Sequence, residues 1–265
     1  QINVLAVSVL MFIIDGFDLS SLTFNSPLIS AEWNLHPEQL GIVLSASAIG
    51  SAFGAFVIAP MGDYLGRRPV ILMNAALLTV ATFLTATAST VTQLFIFRVM
   101  AGTSVGCLAP TTLSLVVETM PESKKNVAVM ILGVFGGFGS IFAGVATNLL
   151  SVQYGWQTLF IVGGFLTVGS SILIFLFLPE SVEFLGKRRA AGDLDKANAV
   201  WRRMNKPALD AWPERSAAER EEDKERVGIR ELLRGEQLRN TPLLWAVVFL
   251  ASFGLGFAGG WTPKL

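Results

Sequence analysis

The sequence predicts an all-α polytopic membrane protein, in which a six-helix amino-terminal bundle is followed by the first helix of a carboxyl-terminal bundle. Its 265 residues are 52% hydrophobic and only 15% charged, with a mean hydropathy of +0.57. Soluble domains carry about 25% charged residues. Seven apolar runs reach the length of about 20 residues that a helix needs to cross a bilayer. One long polar stretch, 179–240, separates the sixth run from the seventh.

The apolar runs predict helices, in chain order, at about 2–29, 39–61, 69–88, 92–117, 126–150, 156–178 and 241–263. We therefore expect three regions: a transmembrane bundle over 1–178, a cytoplasmic linker over 179–240, and a seventh helix within 241–265. Apolar residues at helical spacing predict a short helix in the linker from Asp193 to Met204. The chain stops at Leu265 within an apolar stretch, so we expect a longer protein whose carboxyl-terminal half is missing here.

Basic residues predict the orientation of the chain. Eighteen of the twenty Lys and Arg residues follow the second, fourth and sixth apolar runs, and the two exceptions are Arg98 and Lys264. Loops rich in Lys and Arg stay on the cytoplasmic side of a membrane. The pattern predicts a multi-pass protein of the inner (plasma) membrane with its amino terminus in the cytoplasm.

Several classes of protein are disfavoured by composition. The formal net charge is zero, so nothing indicates a nucleic-acid partner. Cys107 is the single cysteine and His36 the single histidine, and His36 lies in a short polar connection. The sequence therefore predicts no disulfide, no metal site and no cofactor. It contains no buried Ser–His pair or other catalytic group, and we do not expect an enzyme.

Two acids in the first apolar run are the first candidate site. Asp15 and Asp18 are three residues apart and so lie on one helical face. A carboxylate at mid-bilayer costs at least about 2.5 kcal/mol on insertion scales. The pair is therefore expected to serve proton binding, although a structural contact with another helix would also explain it. Leu22 and Asn25 continue the same face, which predicts that this face looks towards a cavity or other helices.

Arg98 is the second candidate, because it lies inside the fourth apolar run. Counted from the helix ends, its depth differs from that of Asp18 by about 6 Å, which an arginine side chain can bridge. A guanidinium buried in a membrane needs an anionic partner. That partner is Asp15 or Asp18, a substrate carboxylate, or each in turn, and the alternative is an arginine that snorkels to the interface.

The connection between the second and third apolar runs reads Gly62-Asp63-Tyr64-Leu65-Gly66-Arg67-Arg68-Pro69. Gly66 permits a tight turn, and Asp63 can face the two arginines or a helix end. Such a charge cluster can act as a latch between two access states. Small residues also recur along two helices, at Gly102 and Gly106 and at Gly133, Gly137, Ser140, Gly144 and Asn148, which is typical of close helix packing in lipid.

Together these residues resemble the major facilitator superfamily. Asp63-x-x-Gly66-Arg67-Arg68 is similar to the family's loop between helices two and three, although Ala59 replaces a preceding glycine. Arg98-x-x-x-Gly102-x-x-x-Gly106 is similar to its helix-four motif. The junctions at Glu118-x-x-Pro121-x-x-Lys124-Lys125 and Pro179-Glu180-Ser181 also match, but Val182 and Glu183 depart from the pattern. Within the superfamily, Asp15-Gly16-x-Asp18 looks like the signature of the aromatic acid:H⁺ symporters.

The resemblance implies import of an aromatic carboxylate, of the hydroxybenzoate or benzoate type, by proton symport through alternating access. The proton gradient supplies the energy, and membrane lipid and the protein's own missing half are the only partners expected, with a monomer as the working unit. The site residues would be Asp15 and Asp18 for proton coupling, Arg98, Asp18, Asn25 and Trp261 for substrate binding, and Asp63, Gly66, Arg67, Arg68 and Glu118 for gating.

Two alternatives remain open at this point. A sugar or another organic acid is a possible substrate within the same superfamily, although the seventh run offers Trp245, Phe249, Phe253, Phe257 and Trp261 and no Gln or Asn. A seven-helix receptor or light-driven pump normally has its amino terminus outside. The loop charges predict the opposite orientation and disfavour that class.

Overall fold

A computed structural model describes residues 2–203 and 207–212, together with 240–244, 246, 247, 250 and 254. Residues up to Leu209 form one compact unit. Within the described residues, six helices are long and apolar enough to cross a membrane. Their outward faces carry large exposed apolar side chains, such as Phe56 and Met130, which suits contact with hydrocarbon. The chain is a multi-pass membrane protein.

The six spans run in chain order, and two short helices follow them: α1 Ile2–Trp33, α2 Pro37–Leu65, α3 Arg67–Ala86, α4 Val91–Thr119, α5 Glu122–Tyr154, α6 Gln157–Phe177, α7 Val182–Arg188 and α8 Asp193–Arg203. Each of the first six predicted helices is confirmed, with ends that shift by a few residues.

The end of α2 departs from regular α-helical geometry. The helix is α-helical over Pro37–Phe53, widens to a π turn over Gly54–Ile58 and tightens to a 3₁₀ turn over Ala59–Met61. Pro60 has no N–H and its ring crowds the preceding turn, so the regular hydrogen-bond pattern cannot continue there. The chain then resumes α-helical geometry over Gly62–Leu65, and α2 carries the acid Asp63.

The predicted linker and seventh helix fall largely outside the described residues, and so does Trp261. The described positions between 240 and 254 are helical. The predicted helix from Asp193 is confirmed as α8. On its apolar side Ala197 is buried, and Asn198 exchanges two hydrogen bonds of 2.9 Å with the backbone of Leu209.

Glycines bring two pairs of helices into backbone contact. A Cβ atom added to Gly102 or Gly106 of α4 would lie 2.2 or 2.0 Å from the carbonyl oxygen of Ser47 or Ser51 on α2. Gly16 of α1 and Gly139 of α5 meet the partner backbone equally closely, at 2.0 Å each. Small residues permit this approach where lipid gives no hydrophobic driving force.

The stripe predicted on α5 contributes less than expected to this packing. Gly133 and Gly137 have no atom of the described residues within 4 Å of an added Cβ, whereas Gly139, on a neighbouring face, contacts α1. Ser140 does join the two helices, because it shares a 2.7 Å hydrogen bond with Ser20. Gly144 also faces α1, because an added Cβ would lie 3.3 Å from the ring of Phe24. The predicted stripe therefore contacts α1 at Ser140 and Gly144, but no described atom lies close to Gly133 or Gly137.

Candidate functional site

A polar stripe runs along the buried face of α1. Its members are Ser8, Asp15, Asp18, Ser21, Asn25 and Ser26, all at most 7% exposed. From Asp15 to Asn25 they recur at three- and four-residue spacing, which places them on one side of the helix. The expectation that this face looks towards other helices is therefore correct.

Asp18 pairs with Arg98 across the bundle. Arg98 Nη1 lies 3.2 Å from Asp18 Oδ2, and Nη2 lies 3.4 Å from Oδ1. The hydroxyl of Thr82, on α3, lies 3.1 Å from Asp18 Oδ1 and 2.8 Å from the carbonyl oxygen of Leu78, and its one proton is shared between them. Both charges are buried, with Arg98 at 0% exposure. Of the anionic partners left open by the sequence, the structure brings Asp18 to Arg98.

Two further groups enclose the guanidinium of Arg98. Thr85 Oγ1 accepts hydrogen bonds from Nε at 3.2 Å and from Nη2 at 2.9 Å, while its own proton goes to the carbonyl of Ala81. The ring of Phe160 on α6 lies under the guanidinium, 4.9 Å from ring centroid to Cζ, which is within cation–π range. Arg98 is thus held from α1, α3 and α6 and is fully buried.

Asp15 lies apart from this pair although it is one turn away. It is 7% exposed, and no hydrogen bond or ion pair joins it to another described residue. Its side chain lines a cavity of about 10 Å³ formed with residues of α3, α4 and α6. The structure therefore separates two acids that the sequence places in one candidate site.

Asn25 lies two turns beyond Asp18 on the same face and is fully buried. Its Nδ2 donates to the carbonyl of Ser21 at 2.9 Å, and its Oδ1 has no hydrogen-bond partner among the described residues. Asn25 thus keeps a free acceptor in the bundle interior. Trp261, the fourth residue predicted to bind substrate, lies outside the described residues.

A large apolar cavity does not fit a charged substrate. It has a volume of about 870 Å³, and it lies between α1, α5 and α6, where Phe17, Phe142 and Phe165 are among the lining residues. Ser170 is the single polar residue of this lining. A carboxylate placed there would lose its hydration without gaining a partner, so the cavity suits apolar material only.

The residues predicted to gate the protein meet at the basic end of the bundle, which we define as the end that holds Arg67, Arg68, Lys124 and Lys125. Arg67 forms ion pairs with Asp63 at 2.5 Å and with Glu118 of α4 at 3.0 Å. Glu118 also accepts hydrogen bonds from the hydroxyls of Ser114, at 3.0 Å, and Ser181. The structure thus joins Asp63, Arg67 and Glu118 directly.

The beginning of α3 is held by a group that sequence reasoning did not place in the site. Oε1 of Glu180 accepts hydrogen bonds from the backbone amides of Arg67 and Arg68, at 2.9 and 3.1 Å. Gly66 has φ 105° and ψ 155°, a conformation essentially restricted to glycine. The side chain of Arg68 instead donates to the carbonyl of Phe175 at 2.8 Å. Glu180 thereby ties the end of α6 to the start of α3.

Four residues of these sites escaped the sequence prediction: Thr82, Thr85, Phe160 and Glu180. Thr82 and Thr85 repeat the three-residue spacing of Asp15 and Asp18 within an apolar run, and that signal was available. Glu180 was visible only as part of a junction motif. Nothing in the sequence distinguishes Phe160 from the other phenylalanines of the spans.

Comparisons with known proteins agree with the recognised motifs. The chain is 27% identical over its whole length to the 4-hydroxybenzoate transporter PcaK of Pseudomonas putida, and covers 59% of that protein. It is 28% identical to a gallate transporter of Pseudomonas putida, with 99% of the chain and 58% of the relative covered. It is 27% identical to a benzoate transport protein of Acinetobacter baylyi, with 99% of the chain and 57% of the relative covered. The chain thus spans less than three fifths of the length of these relatives.

Solved structures give the fold. The inward-open xylose transporter XylE from E. coli matches with a TM-score of 0.70 at 16% identity, over 99% of this chain and 63% of that one. A bacterial homologue of the human lysosomal transporter Spinster, inward-facing and unoccupied, matches with a TM-score of 0.71 at 18% identity. The match covers 98% of this chain and 54% of that one. At these identities the match concerns the fold alone.

The family description "Major Facilitator Superfamily" matches residues 8–265. The named relatives are all transporters, in agreement with the expectation that the chain is not an enzyme. They also confirm the resemblance to the aromatic acid:H⁺ symporters. From the matched length and the motifs at Asp63 and Arg98, the chain belongs to the major facilitator superfamily.

Proposed function

We propose that the protein containing this chain imports an aromatic carboxylate together with a proton, by alternating access. The buried pair of Asp18 and Arg98, 3.2 Å apart, is the observation that carries the proposal. The names of the aromatic-acid relatives supply the substrate class, which would be a hydroxybenzoate or benzoate.

Coupling follows from the charges of this pair. A proton on Asp18 neutralises the only carboxylate that contacts Arg98 in the described part of the chain. The guanidinium then keeps Thr85 and Phe160 as neutral neighbours, which do not balance a buried charge. An organic anion that enters beside Arg98 restores the balance, and its departure lets Asp18 lose the proton and pair again. Anion and proton therefore travel together.

The basic end is proposed to act as the gate of this cycle. Asp63, Arg67, Glu118 and Glu180 bind the start of α3 to the ends of α4 and α6. Ion pairs of this kind have two discrete arrangements, made and broken, and so can bias an equilibrium between two access states. The basic residues of the loops support a cytoplasmic position for this end. An inner-membrane location and a monomeric working unit are further parts of the proposal.

Uptake of radiolabelled 4-hydroxybenzoate into cells that express the protein tests the proposal. We expect uptake that a protonophore abolishes, and competition by benzoates but not by sugars or aliphatic acids. Uptake that survives collapse of the proton gradient contradicts the coupling. Competition by sugars alone would favour the second candidate, a sugar or other organic-acid symporter, for which a myo-inositol transporter that is 28% identical over 71% of the chain is the relevant relative.

A further inference from the structure

We propose that the small cavity beside Asp15 binds one water molecule, which bridges the neutral carboxyl group of Asp15 to the hydroxyls of Thr167 and Ser170 on α6. The proposal deepens the function proposed above, because it assigns the two acids of α1 to different protonation states. Asp18 is the ionised partner of Arg98, and Asp15 is an acid that already holds a proton.

The cavity has the size and the polar lining of a water site. Its volume is about 10 Å³, and Asp15, Thr167 and Ser170 are the polar residues of its lining. A buried water needs roughly 10–15 Å³ and two to four polar partners. The other lining side chains are apolar: Met11, Ile14, Ala75, Leu78, Leu108 and Ile174.

The two hydroxyls offer acceptors rather than donors to this cavity. Thr167 Oγ1 donates its proton to the carbonyl of Gly164 at 2.8 Å, and Ser170 Oγ donates to the carbonyl of Thr167 at 2.9 Å. A hydroxyl has one proton and two lone pairs. With the protons committed to backbone carbonyls, lone pairs remain for the cavity, and they bind the O–H of a water or of a carboxylic acid.

Asp18 has the opposite surroundings, which identifies it as the charged member. Two N–H groups of Arg98 point at its oxygens, as an ionised carboxylate requires. None of the residues that line the Asp15 cavity from α3, α4 or α6 is ionisable, so Asp18 on the same helix is the charged group next to Asp15. A second carboxylate charge there would be buried without a partner, one turn from the first.

The O–H group of the Asp15 carboxyl therefore donates a hydrogen bond to the water in the cavity. Ile14 and Ser170 line both this cavity and the apolar cavity of about 870 Å³ between α1, α5 and α6. A water at this place also gives Asp15 a partner that can follow small movements of α6 relative to α1. Asp15 is then a proton-holding residue that never contacts the substrate.

Infrared spectroscopy of the full-length protein in lipid, without substrate, tests the assignment through the carbonyl stretch of a protonated carboxyl group. We expect such a band at neutral pH, lost in Asp15→Asn and retained in Asp18→Asn. Ser170→Ala and Thr167→Val each remove an acceptor, so the band should move to higher frequency. Ser171→Ala is the matched control, because Ser171 bonds the carbonyl of Thr167 and lies outside the lining of the cavity.

A band that disappears in Asp18→Asn and persists in Asp15→Asn overturns the proposal, and so does a band that Ser170→Ala and Thr167→Val leave unmoved. If Asp15→Asn does not fold, the shifts in the two α6 variants decide. Since the band is read without substrate, loss of proton-driven uptake with an intact Asp15 band would contradict the proposed function alone. Uptake with no Asp15 band would contradict only the water site.

Discussion

Glu180 caps the helix that starts at Arg67: its Oε1 lies 2.9 Å from the amide nitrogen of Arg67 and 3.1 Å from that of Arg68. The first amides of a helix have no partner within the helix, and the positive end of the helix dipole favours a carboxylate. Because Glu180 follows α6 and Arg67 begins α3, this cap joins two helices that are distant in sequence.

Gly66→Ala should destabilise the protein strongly. An added Cβ would lie 2.5 Å from Glu180 Oε2, at a φ of 105° that alanine avoids, and the strain of such a conformation is about 1–3 kcal/mol. Thermal unfolding in detergent measures the loss. Gly155→Ala is the control, because Gly155 has a similar backbone conformation, with φ 91° and ψ 154°, and would meet only the end of Gln157. Equal losses in both variants would mean that the Glu180 contact is unimportant.

Asp18→Asn and Arg98→Gln should each destabilise the bundle by roughly 3–5 kcal/mol, because each removes one partner and leaves the charge of the other buried and uncompensated. The double variant should be more stable than either single variant. All three should lack uptake, which separates stability from transport. Glu183→Gln, which breaks the exposed pair with Lys187, should change stability by at most about 1 kcal/mol. A double variant as unstable as the sum of the singles contradicts the ion pair.

Phe160→Leu should lower the unfolding temperature, because it removes the cation–π contact with Arg98 while it keeps most of the apolar volume. The loss of the ring beneath the guanidinium is worth about 0.5–2 kcal/mol. Phe160→Tyr keeps the ring face and so should keep the contact with the guanidinium, but it also buries a hydroxyl, which lowers the unfolding temperature where that hydroxyl finds no partner. Phe165→Leu, at an exposed position in edge contact with Phe83, is the control. Similar unfolding temperatures for Phe160→Leu and Phe165→Leu would rule out a cation–π contribution.

Gly106→Ala should separate α4 from α2. The added Cβ would lie 2.0 Å from the carbonyl oxygen of Ser51, and overpacking of this kind destabilises by about 1–3 kcal/mol or more. At Gly133 an added Cβ meets no described atom within 4 Å, so Gly133→Ala should be neutral or slightly stabilising, since alanine favours helices. The temperature of unfolding and the yield of folded protein distinguish the two. The reverse order would contradict backbone contact at Gly106.

Acid should loosen the junction between α7 and α8. Two hydrogen bonds from Arg188, at 2.9 and 2.6 Å, hold the pKa of Asp193 below its ordinary value of 3.8. A lowered folded-state pKa means that the stabilisation is complete above the unfolded value and is lost as the pH falls through the folded value. Hydrogen-exchange protection of residues 182–203 should therefore hold from neutral pH down to about 4 and fall below it. Asp193→Asn should be less protected at neutral pH and nearly insensitive to acid.

The spans were predictable from sequence because the length of an apolar run and the sign of its flanking charge are local properties. The partner of Arg98 was not, since both Asp15 and Asp18 lay within reach by depth alone. Only the packed bundle gives Asp18 the donors of Arg98, and leaves Asp15 in a cavity that it lines together with Thr167 and Ser170. The same limit applies to Glu180, whose role depends on a contact between residues more than a hundred positions apart.

The ion pair of Asp18 and Arg98 also determines how the membrane voltage acts on this site. Together the two side chains carry no net charge, so the electric field exerts no net force on the paired state. A proton on Asp18 leaves one positive charge inside the membrane, and the field does work of up to about 2.3 kcal/mol per 100 mV when such a charge crosses fully. An organic anion bound at Arg98 cancels that charge again. In the proposed cycle, the voltage would therefore act on the site that is protonated and empty, and not on the resting or the loaded site.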